Sequence, residues 1–237
     1  MKKTRLKKKP VVRKFKRPEP ERVRNILDTL KKMYPDAKCA LNFTNHLELL
    51  ISVILSAQCT DNMVNKVTPA LFKRYKSASD FAEANPRELE RMIFSCGFYR
   101  AKAANIIKAG AVLRDKFHSQ VPKTMEELIE IPGVARKTAN VVLGNAHGLV
   151  QGIAVDTHVR RVSQRLGLTK NNDPVKIEQD LMKLLPREEW FLITYRLIEH
   201  GRHICDAKKP LCPECPLRPF CPSSAIFMKK FWPTAVG

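Results

Sequence analysis

The chain alternates between short apolar segments with helical spacing and short polar breaks. Near the start, apolar residues recur every three or four positions and so share one helix face: Val23, Ile26, Leu27 and Leu30. The segment NHLELLISVILSAQCTD, residues 45–61, is apolar nearly all round and predicts a central buried helix. No segment shows a convincing two-residue period. The pattern therefore predicts an all-α fold.

Further helical segments follow the central one, with polar residues between them. They are NKVTPALFKRY, SASDFAEA, NPRELERMIFSCG, RAKAANIIKAGAVLRDKF and KTMEELIEI. In the last of them, Thr124 and Glu127 have the spacing of a capping box. Pro132 and Gly133 then predict a tight turn, and another helix starts near Ala135. Residues 124–146 therefore predict a helix–hairpin–helix.

This hairpin has the parts of an anion site. Gly133 permits a positive φ or a close backbone approach. The first amides of the second helix have no partner inside that helix, so they can bind a phosphate. From the segment alone, a DNA phosphate site and a helical corner without a ligand are equally good interpretations.

The charge of the chain favours a polyanionic partner. The 237 residues include 43 Lys or Arg against 23 Asp or Glu, a formal net charge of +20. Such a balance indicates nucleic acid or an anionic membrane surface. No apolar run reaches the roughly 18 residues of a membrane span, so we expect no membrane segment. No apolar stretch follows the basic start, so we also expect no secretory signal.

The first 17 residues carry ten of the basic residues and no acid. Such a block is typically disordered and often serves as a nucleic-acid arm. The alternative is a solvated tail that only aids solubility.

Two residues point to chemistry when they are considered together. Lys137 lies among apolar residues just after the hairpin, and Asp156 precedes an amphipathic run. Taken separately, Lys137 would be interpreted as a surface or phosphate-binding lysine, and Asp156 as a helix N-cap. Together they suggest a nucleophilic amine, whose charged form is disfavoured near helix amides, and a carboxylate that stabilises positive charge on a sugar.

Four cysteines near the C-terminus lie close enough together in the sequence to predict a metal site. Cys205, Cys212, Cys215 and Cys221 form the spacing C-x6-C-x2-C-x5-C. Their residue types suit structural zinc or a [4Fe–4S] cluster, and the spacing alone does not choose between them. The remaining cysteines lie scattered in helical segments and read as core thiols.

In their order along the chain, four features resemble the endonuclease III family. They are LSAQCTD, IPGVARKTANVVLG, AVDTHVRRV and the four-cysteine spacing. The resemblance covers residues 20–225. It implies two helical lobes with DNA across the cleft between them. One lobe would be a six-helix barrel at residues 40–149, and the other would combine residues 19–39 and 150–237 with the cluster. Residues 1–18 would remain a basic tail.

The resemblance also assigns roles to residues. Lys137 matches the Schiff-base lysine and Asp156 the catalytic aspartate. Gln58 matches the residue that fills the space of the flipped nucleotide, and Phe98 stands at the apolar wedge. The four cysteines match the ligands of a [4Fe–4S] cluster. The remaining expected DNA contacts are Gly133, Ala135, Arg136, His158, Lys208 and Lys209.

Three positions depart from the family pattern. Ala135 stands where a second hairpin glycine is common, and Phe98 stands where leucine is common. One extra residue lies near GLVQG, residues 148–152, between the catalytic pair. We expect Ala135 to alter the approach of the phosphate and Phe98 to alter the opposite-base preference. The extra residue should not displace the site.

The implied activity is base excision repair. The enzyme would remove oxidised pyrimidines from double-stranded DNA and cleave the abasic site by β-elimination. We expect a monomer in the bacterial cytoplasm, at the nucleoid, or in the nucleus or mitochondria of a eukaryote. The alternatives are a mismatch-specific glycosylase of the same superfamily and a non-enzymatic helix–hairpin–helix DNA-binding protein. An RNA-binding protein is disfavoured because aromatic residues make up only 7% of the chain.

Overall fold

The computed structural model describes residues 18–233, and every regular element in that range is helical. The all-α prediction is confirmed there, whereas the predicted basic arm at residues 1–17 lies outside the described residues. The α-helices of the described range are Pro20–Met33 (α1), His46–Leu55 (α2), Asp61–Arg74 (α3), Ala78–Ala82 (α4), Pro86–Met92 (α5), Tyr99–Lys116 (α6), Met125–Ile129 (α7), Arg136–His147 (α8), Thr157–Arg165 (α9), Pro174–Leu184 (α10), Trp190–His203 (α11) and Ser224–Phe231 (α12).

Helix α2 is the predicted central helix. All of its residues from Leu49 to Leu55 are buried. The helix stops earlier than the apolar pattern suggests because Gln58 has a φ of 52°, which no right-handed helix contains. Thr60 then accepts a hydrogen bond from the amide of Met63 (3.3 Å) and starts α3.

The apolar side chains form two separate cores. The first contains residues between Leu41 and Leu143, from helices α2 to α8. The second contains residues from α1 together with residues between Ile153 and Leu217. We propose that each core and its helices form one lobe, called here the first lobe and the second lobe. The region predicted as a six-helix barrel holds seven α-helices, of which α4 and α7 have five residues each.

The helix–hairpin–helix consists of α7, the turn at residues 130–135 and α8. Thr124 caps α7 by accepting from the amide of Glu127 (3.3 Å). The Glu127 carboxylate accepts from the Thr124 hydroxyl (2.7 Å), whereas a capping box would direct it to the Thr124 amide. None of the helices within residues 18–233 is both long enough and apolar enough to cross a bilayer.

Candidate active site in the cleft between the two lobes

Lys137 is the second residue of α8. The first hydrogen bond of this helix runs from the amide of Ala139 to the carbonyl of Ala135 (2.9 Å). Ala135 is the N-cap and its methyl group cannot accept a bond, so the first amides of α8 stay open to a ligand. Lys137 is exposed, while Ala139, Val142 and Leu143 are buried. The apolar character of this segment therefore belongs to the opposite face of the helix.

Asp156 is the N-cap of α9, as its position in the sequence predicts. Its Oδ1 atom accepts from the amide of Val159 at 2.7 Å. No described residue donates a hydrogen bond to Oδ2. One oxygen of the carboxylate thus holds the helix start, and the other remains available to a substrate.

Lys137 and Asp156 line the same cleft, which has a volume of about 750 Å³. Residues of both lobes form its walls, and Gln58 and His158 lie among them. The structure thus brings together two side chains that belong to different lobes. The sequence could not establish this proximity.

Polar contacts across the cleft join the lobes. Arg202 of α11 donates to Asp61 of α3 at 2.6 Å. The amide of Asn145 in α8 donates to the hydroxyl of Tyr195 in α11 at 2.6 Å. Sequence reasoning missed these residues, because nothing in their local pattern distinguishes them from other surface or core positions.

The hairpin turn explains the two small residues within it. Gly133 has a φ of 87°, and a Cβ there would lie 3.2 Å from Asn105 Cβ, so a side chain would be strained. Ala135 has a φ of −93°, which any residue adopts. An alanine in place of the family's second glycine therefore costs the hairpin no backbone strain.

Arg136 and His158 both have intramolecular partners. Arg136 donates from Nε and Nη2 to the Glu178 carboxylate, at 2.7 and 3.2 Å. His158 is half-buried, and its Nδ1 atom lies 3.1 Å from Arg161 Nη2. Burial lowers the pKa of His158, and the nearby Asp156 carboxylate opposes that shift.

Gln58 and Phe98 share an uncommon backbone conformation. Both have a positive φ, of 52° and 47°, although neither is glycine. Both side chains are exposed, and Phe98 is 66% accessible. Phe94, which the sequence reasoning passed over, is also exposed, and its ring packs 4.9 Å from the Tyr99 ring beside this loop.

The four predicted ligand cysteines, Cys205, Cys212, Cys215 and Cys221, line one cavity in the second lobe. Within residues 18–233, no three His, Cys, Asp or Glu side chains are gathered closely enough to hold a single ion. Arg165 also lines the cavity, donating to the carbonyl of Asp206 (2.6 Å) and contacting Cys205 Sγ (3.3 Å).

The loop after Cys205 carries Lys208 and Lys209. The Asp206 carboxylate accepts from both of their amides, at 2.7 and 3.1 Å, which lowers the pKa of Asp206. Both lysines are exposed, and the Lys209 ammonium lies 4.4 Å from the centre of the Trp232 ring.

Known proteins are similar to this chain in sequence and in fold. Residues 51–187 match the family model described as HhH-GPD superfamily base excision DNA repair protein. The chain is 53% identical to the endonuclease III of Synechocystis sp. over 204 residues, which cover 86% of this chain and 93% of that protein.

Two solved structures of endonuclease III superpose closely. A non-covalent complex with DNA matches with a TM-score of 0.86 and 47% identity, over 90% of this chain and 99% of that one. A trapped covalent intermediate with DNA matches with a TM-score of 0.85 and 48% identity, over 89% and 99%. The chain therefore belongs to the HhH-GPD superfamily of base excision DNA repair proteins and, within it, to the endonuclease III family.

Proposed function

We propose that this member of the endonuclease III family removes oxidised pyrimidines from double-stranded DNA and then cleaves the abasic site, with Lys137 as the nucleophile. The observation that carries the residue assignment is the shared cleft: an exposed lysine from one lobe and a carboxylate from the other line it together. The excess of 20 positive charges suits the polyanionic substrate.

In the first step, the side-chain nitrogen of Lys137 forms a bond to C1′ of the damaged nucleotide. The bond between C1′ and the base breaks, and the base leaves with the electron pair. The nitrogen then loses a proton, the bond between C1′ and O4′ breaks, and O4′ takes up a proton, which leaves an open sugar joined to Lys137 as a protonated imine. Removal of a C2′ proton then expels the 3′ phosphate, which cleaves the strand.

Asp156 stabilises the positive charge that develops on the sugar and assists the proton transfers. A carboxylate opposite C1′ acts by electrostatics and as a general base. Because the amide of Val159 binds Oδ1, the carboxylate is held at the cleft wall before DNA binds.

Gln58 and Phe98 are suited to support the extruded nucleotide. The reacting carbon is accessible only when the nucleotide leaves the base stack. An exposed aromatic ring held at a left-handed position can insert between bases, and Gln58 on the cleft wall can occupy the vacated space. Backbone strain of this kind is concentrated at functional sites.

Phosphate contacts complete the DNA surface. The open amides of the hairpin, around Gly133 and Ala135, and the exposed Lys208 are suited to bind the backbone. The structure offers less support for Arg136, His158 and Lys209 as direct contacts, because each has an intramolecular partner.

Cys205, Cys212, Cys215 and Cys221 fit a [4Fe–4S] cluster better than zinc. The four cysteines surround a cavity instead of converging on one point, which suits a group of several atoms. Such a cluster would cross-link the C-terminal loops of the second lobe and so hold the Lys208 loop in place.

Replacement of Lys137 by alanine tests the nucleophile. We expect borohydride to trap a covalent adduct between the protein and lesion DNA, and Lys137→Ala to abolish it, because only an amine forms a reducible imine. Lys38, another exposed lysine on the cleft wall, is the control, and Lys38→Ala should still form the adduct. An undiminished adduct with Lys137→Ala would refute the assignment.

Replacement of Asp156 by asparagine separates charge from capping. Asparagine caps helices as well as aspartate, so the melting temperature should stay unchanged. Turnover should fall by about 10²-fold or more, because the negative charge is lost. Lesion binding, measured by titration, should remain. Equal turnover in both proteins would remove Asp156 from the chemistry.

Phe98→Ala tests the wedge on two substrates. Extrusion of a stacked nucleotide costs roughly a few kcal/mol, so the variant should lose more activity on a paired lesion than on an abasic site opposite a gap. Single-turnover rates provide the comparison. Phe94→Ala, which removes the neighbouring exposed ring, is the control and should show a smaller difference. Equal losses on both substrates for Phe98→Ala would argue against insertion.

The metal content tests the cysteine site. Protein purified without oxygen should be brown and contain about four irons per chain. Cys212→Ser should lower the iron content and destabilise the second lobe, whereas Cys39→Ser, in a cysteine outside the cavity, should leave the iron unchanged. Stoichiometric zinc without iron would contradict the cluster.

A further inference from the structure

A buried carboxylate joins the start of the catalytic helix to the opposite lobe. Glu178 belongs to α10 of the second lobe and is 3% exposed. It accepts from Arg136 Nε and Nη2, at 2.7 and 3.2 Å, and from Asn140 Nδ2 at 2.8 Å. Both donors lie on α8 of the first lobe. Arg136 directly precedes Lys137, and Asn140 follows it by three positions.

The same carboxylate contacts the segment that leads to Asp156. A Cβ at Gly152 would lie 2.0 Å from Glu178 Oε1 and 3.0 Å from the amide group of Asn140. Gly152 is buried and precedes Asp156 by four residues. Any side chain there would displace the carboxylate, the segment or both.

We propose that Glu178 is a positioning residue that fixes the first turn of α8, and with it Lys137, relative to the segment that carries Asp156. This inference rests on the proposed function, because it assumes that the two residues act together. It also changes the role of Arg136, which then serves as the partner of Glu178 instead of a phosphate contact.

Physical chemistry supports a fixed geometry at this point. A buried carboxylate requires several donors, and the paired bonds from a guanidinium restrict distance and angle together. Loss of the negative charge leaves Arg136 without its partner and frees the start of α8. A displacement of about 1 Å between reacting groups can cost about 10²-fold in rate.

Glu178→Gln is the main variant, and Glu189→Gln is its matched control. Glu189 is also buried, accepts from Arg196 at 2.6 Å and pairs with Lys31, but none of these residues lies on α8 or in the segment from Gly152 to Asp156. Both variants should be destabilised when unfolding is measured by denaturant titration. A purely structural role would therefore affect both proteins alike.

Single-turnover imine formation at saturating enzyme distinguishes the roles. We expect Glu178→Gln to lower this rate by about 10²-fold with little change in the Kd for lesion DNA. Glu189→Gln should keep the rate within about twofold of the unchanged protein. Glu178→Asp, which keeps the charge on a shorter side chain, should recover part of the loss. Equal rates for both glutamine variants would overturn the proposal.

The Gly152→Ala variant perturbs the Glu178 carboxylate from the segment that precedes Asp156. It should lower the same rate without removing any ionisable group, and it provides a second measurement if Glu178→Gln folds poorly. An unchanged rate in Gly152→Ala would also count against the proposal.

A double-mutant cycle tests the reassigned arginine. If Arg136 and Glu178 act as one unit, the double variant Arg136→Met/Glu178→Gln should form the imine no more slowly than the slower of the two single variants. If Arg136 instead binds a phosphate, Arg136→Met should weaken DNA binding and flatten its salt dependence by about 0.9 log unit per log unit of salt. That result would overturn the positioning role of the pair.

Failure of this inference is distinguishable from failure of the proposed function. Full activity in Glu178→Gln, alongside loss of trapping in Lys137→Ala, would refute only the positioning role. Persistent trapping in Lys137→Ala would refute the proposed function itself.

Discussion

The proposed active site depends on one constraint: the first turns of two helices from different lobes must face each other across a cleft. Lys137 lies in the first turn of α8, and Asp156 begins α9. Helix α8 contributes residues to the first apolar core, and α9 contributes residues to the second. In the proposed mechanism, the two groups can act together only when the lobes pack against each other. The bond from Arg202 to Asp61 is one of the polar contacts that join the lobes.

The two helix starts are built in opposite ways, and each way suits its task. The N-cap of α8 is an alanine, so its first amides remain free for a phosphate or another anion. The N-cap of α9 is Asp156, whose carboxylate binds the helix's own amide. The first arrangement attracts negative charge, and the second holds one negative charge in place. A cleft with both can bind the DNA backbone and oppose the positive charge that develops on the sugar.

Local sequence patterns predicted most of the helices but little of the site's geometry. The apolar spacing identified α2, and the Pro132–Gly133 turn identified the hairpin, because both depend on neighbouring residues. Several residues near Lys137 in the sequence are apolar, but in the helix most of their side chains are buried on the opposite face. The pair of Arg136 with Glu178 spans 42 positions, and no local pattern reports such a contact.

The strained backbone at Phe98 is maintained by the structure beneath it. Gly97, with a φ of 66°, turns the chain without a side chain to clash, and Cys96 is buried just before it. Lys102 is buried as well, and its ammonium donates to the carbonyl of Cys96 at 2.7 Å, while its amide donates to the carbonyl of Phe98 at 3.0 Å. Burial lowers the pKa of Lys102. A left-handed aromatic residue persists only where its surroundings over-determine it. The Gly97 turn and the two Lys102 hydrogen bonds therefore hold the loop in the conformation that presents Phe98.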